Sequence, residues 1–590
     1  NWFKPIMQTG YRQDYNMNGG ARSEKSGLYF SSGYLDERGY FKKSRYQRFT
    51  GRLNGDITPV KWFKTGFMMN GSHQILNNYS DGNTSFVNPI YNARYIAPVY
   101  PVHLHDTATG NYILDANGKM IYDDGGKYAR PQYTARHAIW ENELNMDRTF
   151  RNTMQGQIFA DIRFLKDFVF TTKADINFRN TENQTYNNAI IGDGAGNKGR
   201  ASRTIYRYKI YTFQQQLNWK KEFGLHGLDV LAGHENFNYY YSYLYGYKTT
   251  ETFTGQTDLI NFTNITSLTD YQYNTRTESY LSRARYNYDQ KYFLEASFRR
   301  DGTSRFYKDS RWGNFWSLGG SWILSRESFI KNISQINYLK LRGGFGQVGN
   351  DQSAGGYAYM ALYTLGQNSN VAALYKTQNE ALKLKWETTE NWGAAIEGTV
   401  FKRLNFIAEY FDKRSKDLLF DVNLPLSAGA TASDAAEAVI TRNIGTMSNR
   451  GWEFSVDADL VKTNDFKLNL GANITFLKNK ILRLPEESRK NGIISGSKKY
   501  MEGHGRYDYW LYQYVGVDQM TGNALYLPDT VVYNGGDPNV TNKTAIPTQF
   551  VVKIGDKYYS TNPTYGLRNW SGSAIPTAFG GISLKIDWKD

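Results

Sequence analysis

The stretch GWEFSVDADLVKTNDFKLNLGANITF (451–476) decides how this chain folds. From Trp452 the even positions run Trp452, Phe454, Val456, Ala458, Leu460, with Glu453, Ser455, Asp457 and Asp459 between them. After the polar turn ending at Asp465 the alternation resumes. Phe466, Leu468, Leu470, Ala472, Ile474 and Phe476 stand against Lys467, Asn469, Gly471, Asn473 and Thr475. A period of two means β-strand, because successive side chains leave opposite faces of the pleat. In a soluble sandwich the apolar face packs inward; in an outer-membrane barrel it meets lipid and the polar face lines the lumen. One hairpin does not choose between them, so the choice falls to the rest of the chain.

The 590 residues are 16% aromatic, with 47 Tyr and 13 Trp but only 13 Pro. No apolar run reaches the ~18 residues of a transmembrane helix, and helical heptads and repeated βαβ units are absent. With no Cys there is no disulfide frame, thiolate metal site or cysteine nucleophile. The formal charge of +15 comes from Lys and Arg scattered among Asp and Glu rather than from basic blocks, which argues against nucleic-acid binding. The opening NWFKPIMQTG has neither a basic n-region nor an apolar h-region. The expectation is a cytosolic protein or a gene product whose start is missing.

Alternation gives about seventeen strands. They begin with Tyr11–Gly20 and Gly27–Tyr34 and end with Ile582–Trp588. Connections after odd-numbered strands are short. Those after even-numbered strands are often long, spanning 73–154, 246–278, 350–385, 412–450 and 477–580. A sandwich has no reason for this asymmetry, whereas a transmembrane barrel has short periplasmic turns and long extracellular loops. Aromatics beside the short turns (Trp62, Phe63, Tyr286, Tyr288, Tyr292) suit a girdle at the membrane–water boundary. The predicted fold is all-β: a transmembrane antiparallel β-barrel with its apolar side toward lipid.

Several blocks then resemble a known family. SYLSRARYNYDQKYFLEASFRRDGTSRF (279–306), LKLRGGFGQVGND (339–351), LKWETTENWGAAIEG (384–398) and NIGTMSNRGWEFSVDADL (443–460) look like the central barrel of SusC-like TonB-dependent outer-membrane transporters. GLYFSSGYLDERGYFKKSRYQRFTGRLNGDI (27–57) resembles their early strands, and PTAFGGISLKIDW (576–588) a late one. The resemblance implies a barrel of 22 strands, an N-terminal plug and a TonB-contacting segment. Strand parity then leads to the expectation that the plug, the first strand and the last four strands lie outside this chain, the remaining seventeen being an internal piece. The implied activity is import of oligosaccharides or peptides, with a SusD-like surface lipoprotein as lid and TonB supplying the energy. A passive pore or surface adhesin on the same barrel is the alternative, and a soluble β-rich carbohydrate-binding protein a third reading.

Signs of catalysis are sparse, and no catalytic residue, cofactor or metal is expected. His103 and His105 would share a strand face beside Asp106, but no fourth ligand is evident. GDGAGNKGR (192–200) imitates a phosphate loop without its Lys-Ser/Thr ending and reads as a loop whose glycines permit tight turns. Asp115-Ala-Asn-Gly118 reads as a hairpin turn rather than half a calcium loop. Gly343–Gly349 either leaves room in a crowded lumen or marks a bulge. Two groups are candidates for substrate contact. One is Glu295, Arg299 and Asp301 on the polar face of a strand, which would also serve to hold a plug. The other is aromatics in or near the long loops: Tyr239, Tyr241, Tyr507, Tyr509 and Trp510.

Overall fold

Alternation becomes pairing in the computed structural model, which describes residues 2–79, 88–126, 136–369, 371–423, 439–530 and 546–589. The first twelve strands are β1 (Tyr11–Arg22), β2 (Ser26–Arg38), β3 (Arg45–Val60), β4 (Phe63–Asn78), β5 (Met146–Phe164), β6 (Phe168–Asn187), β7 (Arg200–Phe223), β8 (His226–Glu251), β9 (Phe262–Tyr288), β10 (Tyr292–Thr303), β11 (Trp312–Ile323) and β12 (Ile336–Asn350). A small hairpin, β13 (Leu362–Asn368) with β14 (Val371–Gln378), interrupts the series. It resumes with β15 (Glu387–Val400), β16 (Leu404–Asn423), β17 (Val439–Lys462) and β18 (Phe466–Arg483). Eight short strands, β19 to β26, lie between Ile493 and Ser573, and β27 (Ala578–Trp588) ends the chain.

Seventeen of these strands share one sheet, as alternation predicts. In the deciding hairpin Trp452 lies opposite Phe476, Phe454 opposite Ile474 and Val456 opposite Ala472, so the apolar side chains form one continuous face. That face is bare: Trp452 is 49% exposed and Ile582 on the neighbouring β27 is 82% exposed. Buried apolar clusters lie instead in the connections and at the strand ends that meet them. Trp2, Ile6, Phe41, Ala93, Ile96 and Ile139 form one, and Phe306, Phe315, Ala354, Ala381, Leu384 and Trp386 another. A sheet with its large side chains outward and no core beneath them is built for an apolar solvent.

The chain divides into two compact units, Asn1–Trp219 with Leu231–Tyr280, and Lys220–Val230 with Leu281–Asp590. Within each, the short turns bend sharply. Leu165-Lys166, Asp289-Gln290 and Phe401-Lys402 are consecutive pairs with positive φ, the twist that suits tight hairpins. At the other strand ends the strands outrun the sequence boundaries. Where a loop is expected over 246–278, β8 runs to Glu251 and β9 begins at Phe262. Likewise β16 and β17 reach Asn423 and Val439 inside the stretch 412–450, much of whose remainder lies outside the described residues. β4 and β5 run to Asn78 and from Met146, and β18 to Arg483. The reason is that polar and aromatic alternation continues past the apolar band, so pairing outlasts the greasy stripe.

A short helix α1 (Phe3–Ile6) precedes β1, and the long connection after β4 carries helices α2 (Pro89–Tyr95) and α3 (Ala138–Leu144). Asn88 caps α2 by accepting from the Ile90 and Tyr91 amides at 2.9 and 3.2 Å, with Pro89 in the first turn. At α3 the His137 ring accepts from the Trp140 amide, 3.1 Å, while Glu141 accepts from the His137 amide, 2.8 Å, a reciprocal cap. Burial pushes the Glu141 carboxyl upward, against the pull of nearby Arg136. The glycine loop 192–200 packs on this helix. Gly192 has φ +82°, and a Cβ there would run into the Glu141 carboxylate. The turn reading of that loop holds. Asp115–Gly118 is also a turn, between the bridged Leu114 and Met120.

Gly192→Ala combines a strained φ with that collision. Hydrogen exchange should speed up over 137–145 and 188–199 while sheet amides stay protected; unchanged exchange in both segments would contradict this packing.

Candidate functional site

The polar face of β10, β11, β12, β15 and β16 carries an ordered array. Register places Glu295 opposite Gly319, Gly319 opposite Gly344, Gly344 opposite Gly393, and Gly393 opposite Phe411. Three glycines thus lie side by side on neighbouring strands, with a glutamate at one end and a phenyl ring at the other. Register runs unbroken through Gly343–Gly349, so these glycines provide space and not a bulge. One row toward the short turns, Arg342 donates to Glu409 at 2.5 Å and to Glu397 at 3.2 Å, and Lys340 pairs with Glu397 at 3.1 Å. One row the other way are Ser317, Gly346, Asn391 and Lys413. All but Glu397 line a recess of ≈ 920 Å³ that also takes in Arg285 and Asp229, themselves paired at 2.7 Å.

The spacing around the glycines is informative. A Cβ on Gly319 would meet nothing nearer than the Gly343 carbonyl at 3.9 Å, and one on Gly393 nothing nearer than Glu409 at 3.7 Å. Gly451, by contrast, has no room, since its Cβ would strike the Phe476 carbonyl and approach Phe411. The chain itself requires glycine at 451. At 319 and 393 it does not, whereas a Cβ on Gly344 would come within 3.1 Å of the Leu318 carbonyl.

Farther along the same strand Arg299 and Asp301 pair at 2.7 Å, with Asp301 buried. Of the three polar candidates on β10, Glu295 alone lines the recess.

Tyr239 and Tyr241 stand in a tyrosine ladder on β7, β8 and β9. Ring centroids of Tyr208 and Tyr241, Tyr241 and Tyr273, and Tyr243 and Tyr271 are each 5.1 Å apart, and the Arg179 guanidinium lies 4.0 Å over Tyr208. Tyr208 sits opposite Arg179 on the polar face of β6 and β7. Burial, followed by hydrogen bonds to Tyr273 and Tyr271, raises the Tyr239 and Tyr241 hydroxyls above the usual phenol range. The rings lie past the apolar band and are mostly spent on one another.

Tyr507, Tyr509 and Trp510 belong to the short-strand region after β18. Lys498 and Arg506 lie 4.5 and 5.5 Å from the Tyr507 ring, and Lys499 lies 4.2 Å over Trp510. Trp570 stacks on His504 at 3.7 Å and meets Trp510 edge-on at 5.1 Å. Tyr509 pairs through its backbone with Lys498. The candidates on β10, those on β8 and the Tyr507–Trp510 group therefore occupy separate settings. His103 is stacked on Tyr122, and Asp106 accepts the Ala108 and Thr109 amides at 3.0 and 2.8 Å. Among the described residues no three His, Asp or Glu side chains converge as metal ligands.

Sequence reading overlooked two things. Lys340, Arg342, Glu397 and Glu409 occupy polar-face positions of their strands, so alternation alone could have flagged them. A second row of aromatics crosses the apolar face away from the short turns: Phe298, Trp316, Phe345, Trp392, Tyr410, Trp452 and Phe476. Phe298 is opposite Trp316, Phe345 opposite Trp392 (centroids 4.4 Å) and Tyr410 opposite Trp452 (5.1 Å). Two residues further on, each strand turns polar, at Arg300, Asn314, Gln347, Glu390, Asp412, Arg450 and Lys478. From Trp452 to Leu460 the apolar stripe is roughly 9 residues, the ~9–11 that cross a bilayer. With Tyr288 and Tyr292 beside the short turns, the band has an aromatic girdle at each edge.

A sheet with this doubly girdled band defines a transmembrane β-barrel. The family described as "TonB dependent receptor-like, beta-barrel" matches residues 101–573, and the chain belongs to it. TonB-dependent receptor P39 of Formosa agariphila is 28% identical over 547 residues, covering 89% of this chain and 48% of that protein. TonB-dependent receptor SusC of Bacteroides thetaiotaomicron is 26% identical over 622 residues, covering 100% of this chain and 57% of the relative. The solved RagAB peptide transporter superposes with a TM-score of 0.78 at 20% identity, covering 100% of this chain and 62% of that one. The chain spans about half the length of the curated relatives it matches. It is a SusC-like barrel of the outer membrane.

Gly393→Ala should assemble like the wild type, judged by heat-modifiable mobility on gels, whereas Gly451→Ala should lose much of its assembled form. Equal loss in both would mean that the space above Gly393 is used by the chain itself.

Proposed function

We propose that the whole protein is an active importer of oligosaccharides or peptides, energised through TonB and covered by a SusD-like surface lipoprotein. The carrying observation is the glycine-floored recess. A passive pore gains nothing from three adjacent side-chain-free positions ringed by satisfied ion pairs. A wall against which a plug must seat and slide does gain, because backbone there can approach closely. Glu295, Arg342 and Glu409 are the groups we assign to that contact, and Arg299–Asp301 to the wall above it. The tyrosine ladder and the Tyr507–Trp510 region face the long-loop side, where ring stacking would serve sugars or peptide side chains. The chemistry is binding and gated passage, with no bond made or broken.

The domain reading follows as part of the same proposal. Among the described residues β1 pairs only with β2, and β27 only with β18. Unpaired strand edges are not tolerated in lipid, so the remaining barrel strands, and a plug, are assigned to the rest of the protein. The longer relatives support this.

Two measurements on the full-length protein test the proposal. Uptake of labelled oligosaccharide or peptide pools by cells should stop when a protonophore collapses the proton-motive force; uptake that continues undiminished would establish a passive pore. Gly393→Leu should keep normal outer-membrane levels yet sensitise cells to vancomycin, because overpacking of roughly 1–3 kcal/mol would unseat the plug. Resistance equal to wild type would remove the recess from the gate.

A further inference from the structure

Just beyond the second aromatic girdle, on the lipid side, the charges do not balance. Asp412 and Glu390 are already committed. Arg414 donates to Asp412 at 2.6 and 3.1 Å, Ser448 adds a third bond at 3.2 Å, and Lys416 pairs with Glu390 at 2.7 Å. The hydrogen bonds from Arg414 hold the buried Asp412 carboxyl below the usual range. What remains is cationic. Arg450 lies between Asp412 on β16, whose carboxylate feels its charge, and Lys478 on β18, while Ser448 lies opposite Lys480; no direct ion pair holds any of these three cations among the described residues. Like charges directly opposite on neighbouring strands repel, so this arrangement calls for an anion from outside the chain.

The surroundings specify the anion further. Arg450 and Lys478 flank a recess of ≈ 310 Å³ lined by Tyr410, Trp452, Phe476 and Thr577. Three rings thus form an apolar floor directly below a pair of exposed cations. An amphiphile matches this, with its chains on the rings and its anionic head on Arg450 and Lys478. The height matches too, because the recess sits where the strands leave the hydrocarbon on the side away from the short turns. Arg and Lys both bind phosphate, Arg through a planar fork and Lys as a point charge.

We propose that Arg450, Lys478 and Lys480 bind the phosphorylated headgroup of a glycolipid of the outer leaflet, with Trp452 and Phe476 against its acyl chains. The site fixes the height of the barrel in the membrane and is independent of what the transporter carries.

The test uses the full-length protein purified from outer membranes in mild detergent, with bound lipid quantified by native mass spectrometry and phosphorus assay. Wild type should retain phosphorylated glycolipid through size exclusion and release it in high salt, where screening weakens the contact. Arg450→Gln, Lys478→Gln and Lys480→Gln should each lower retention about fivefold, the usual contribution of one basic residue near an anionic surface. Reloading delipidated wild type with enzymatically dephosphorylated glycolipid should give retention as low as the triple variant. Heat-modifiable mobility verifies folding, and Arg450→Lys with Lys478→Arg should retain lipid. The proposal is overturned if the folded triple variant keeps as much lipid as wild type, if dephosphorylated lipid binds equally well, or if wild type retains none.

Discussion

Hydrocarbon offers no hydrogen bonds, and the rest of this structure follows from that. Every strand amide and carbonyl in the membrane must be paired by another strand, and every side chain on the lipid face must do without water. The sheet therefore shows its large residues on the outside, as at Ile158 and Trp392 on strands paired on both sides. Its polar residues share the opposite face, where Lys340, Arg342, Glu397 and Glu409 neutralise one another. Stability comes from backbone pairing and side-chain packing across strands, with the buried apolar clusters of the described residues in the connections and at the strand ends that meet them.

The same constraint explains what could be read from sequence. A period of two with a fixed apolar side survives in each strand because a one-residue slip would turn the stripe toward the lumen. Strand number, face assignment and the girdle at Tyr288 and Tyr292 were legible for that reason. Strand ends were not. Outside the bilayer, water can pair with any backbone group, so β9 begins at Phe262, inside the stretch 246–278 expected to be loop, with no apolar face to mark it. The candidate site was half legible. Glu295 sits at a polar position that alternation identifies, but its setting depends on Gly319, Gly344 and Gly393 meeting across three neighbouring strands, which only register reveals.

The wall and the band meet different solvents, and their glycines differ accordingly. Gly451 is needed because neighbouring strands crowd it, whereas Gly319 and Gly393 are open toward the lumen. One kind serves folding; the other leaves open wall on the polar face. Similarly, the outer girdle marks a change of medium within two residues on each strand, from Trp452 to Arg450 and from Phe476 to Lys478. Aromatic rings tolerate both sides of that boundary, while a full charge tolerates only one.

The most direct measurement is the accessibility of nitroxide labels at Phe454 and Ser455 in the full-length protein reconstituted in a bilayer. The label at 454 should be relaxed mainly by oxygen dissolved in lipid, and the label at 455 mainly by a water-soluble nickel chelate. If the preferences were reversed, the greasy face would line the lumen, and the account of wall, gate and lipid contact would be contradicted.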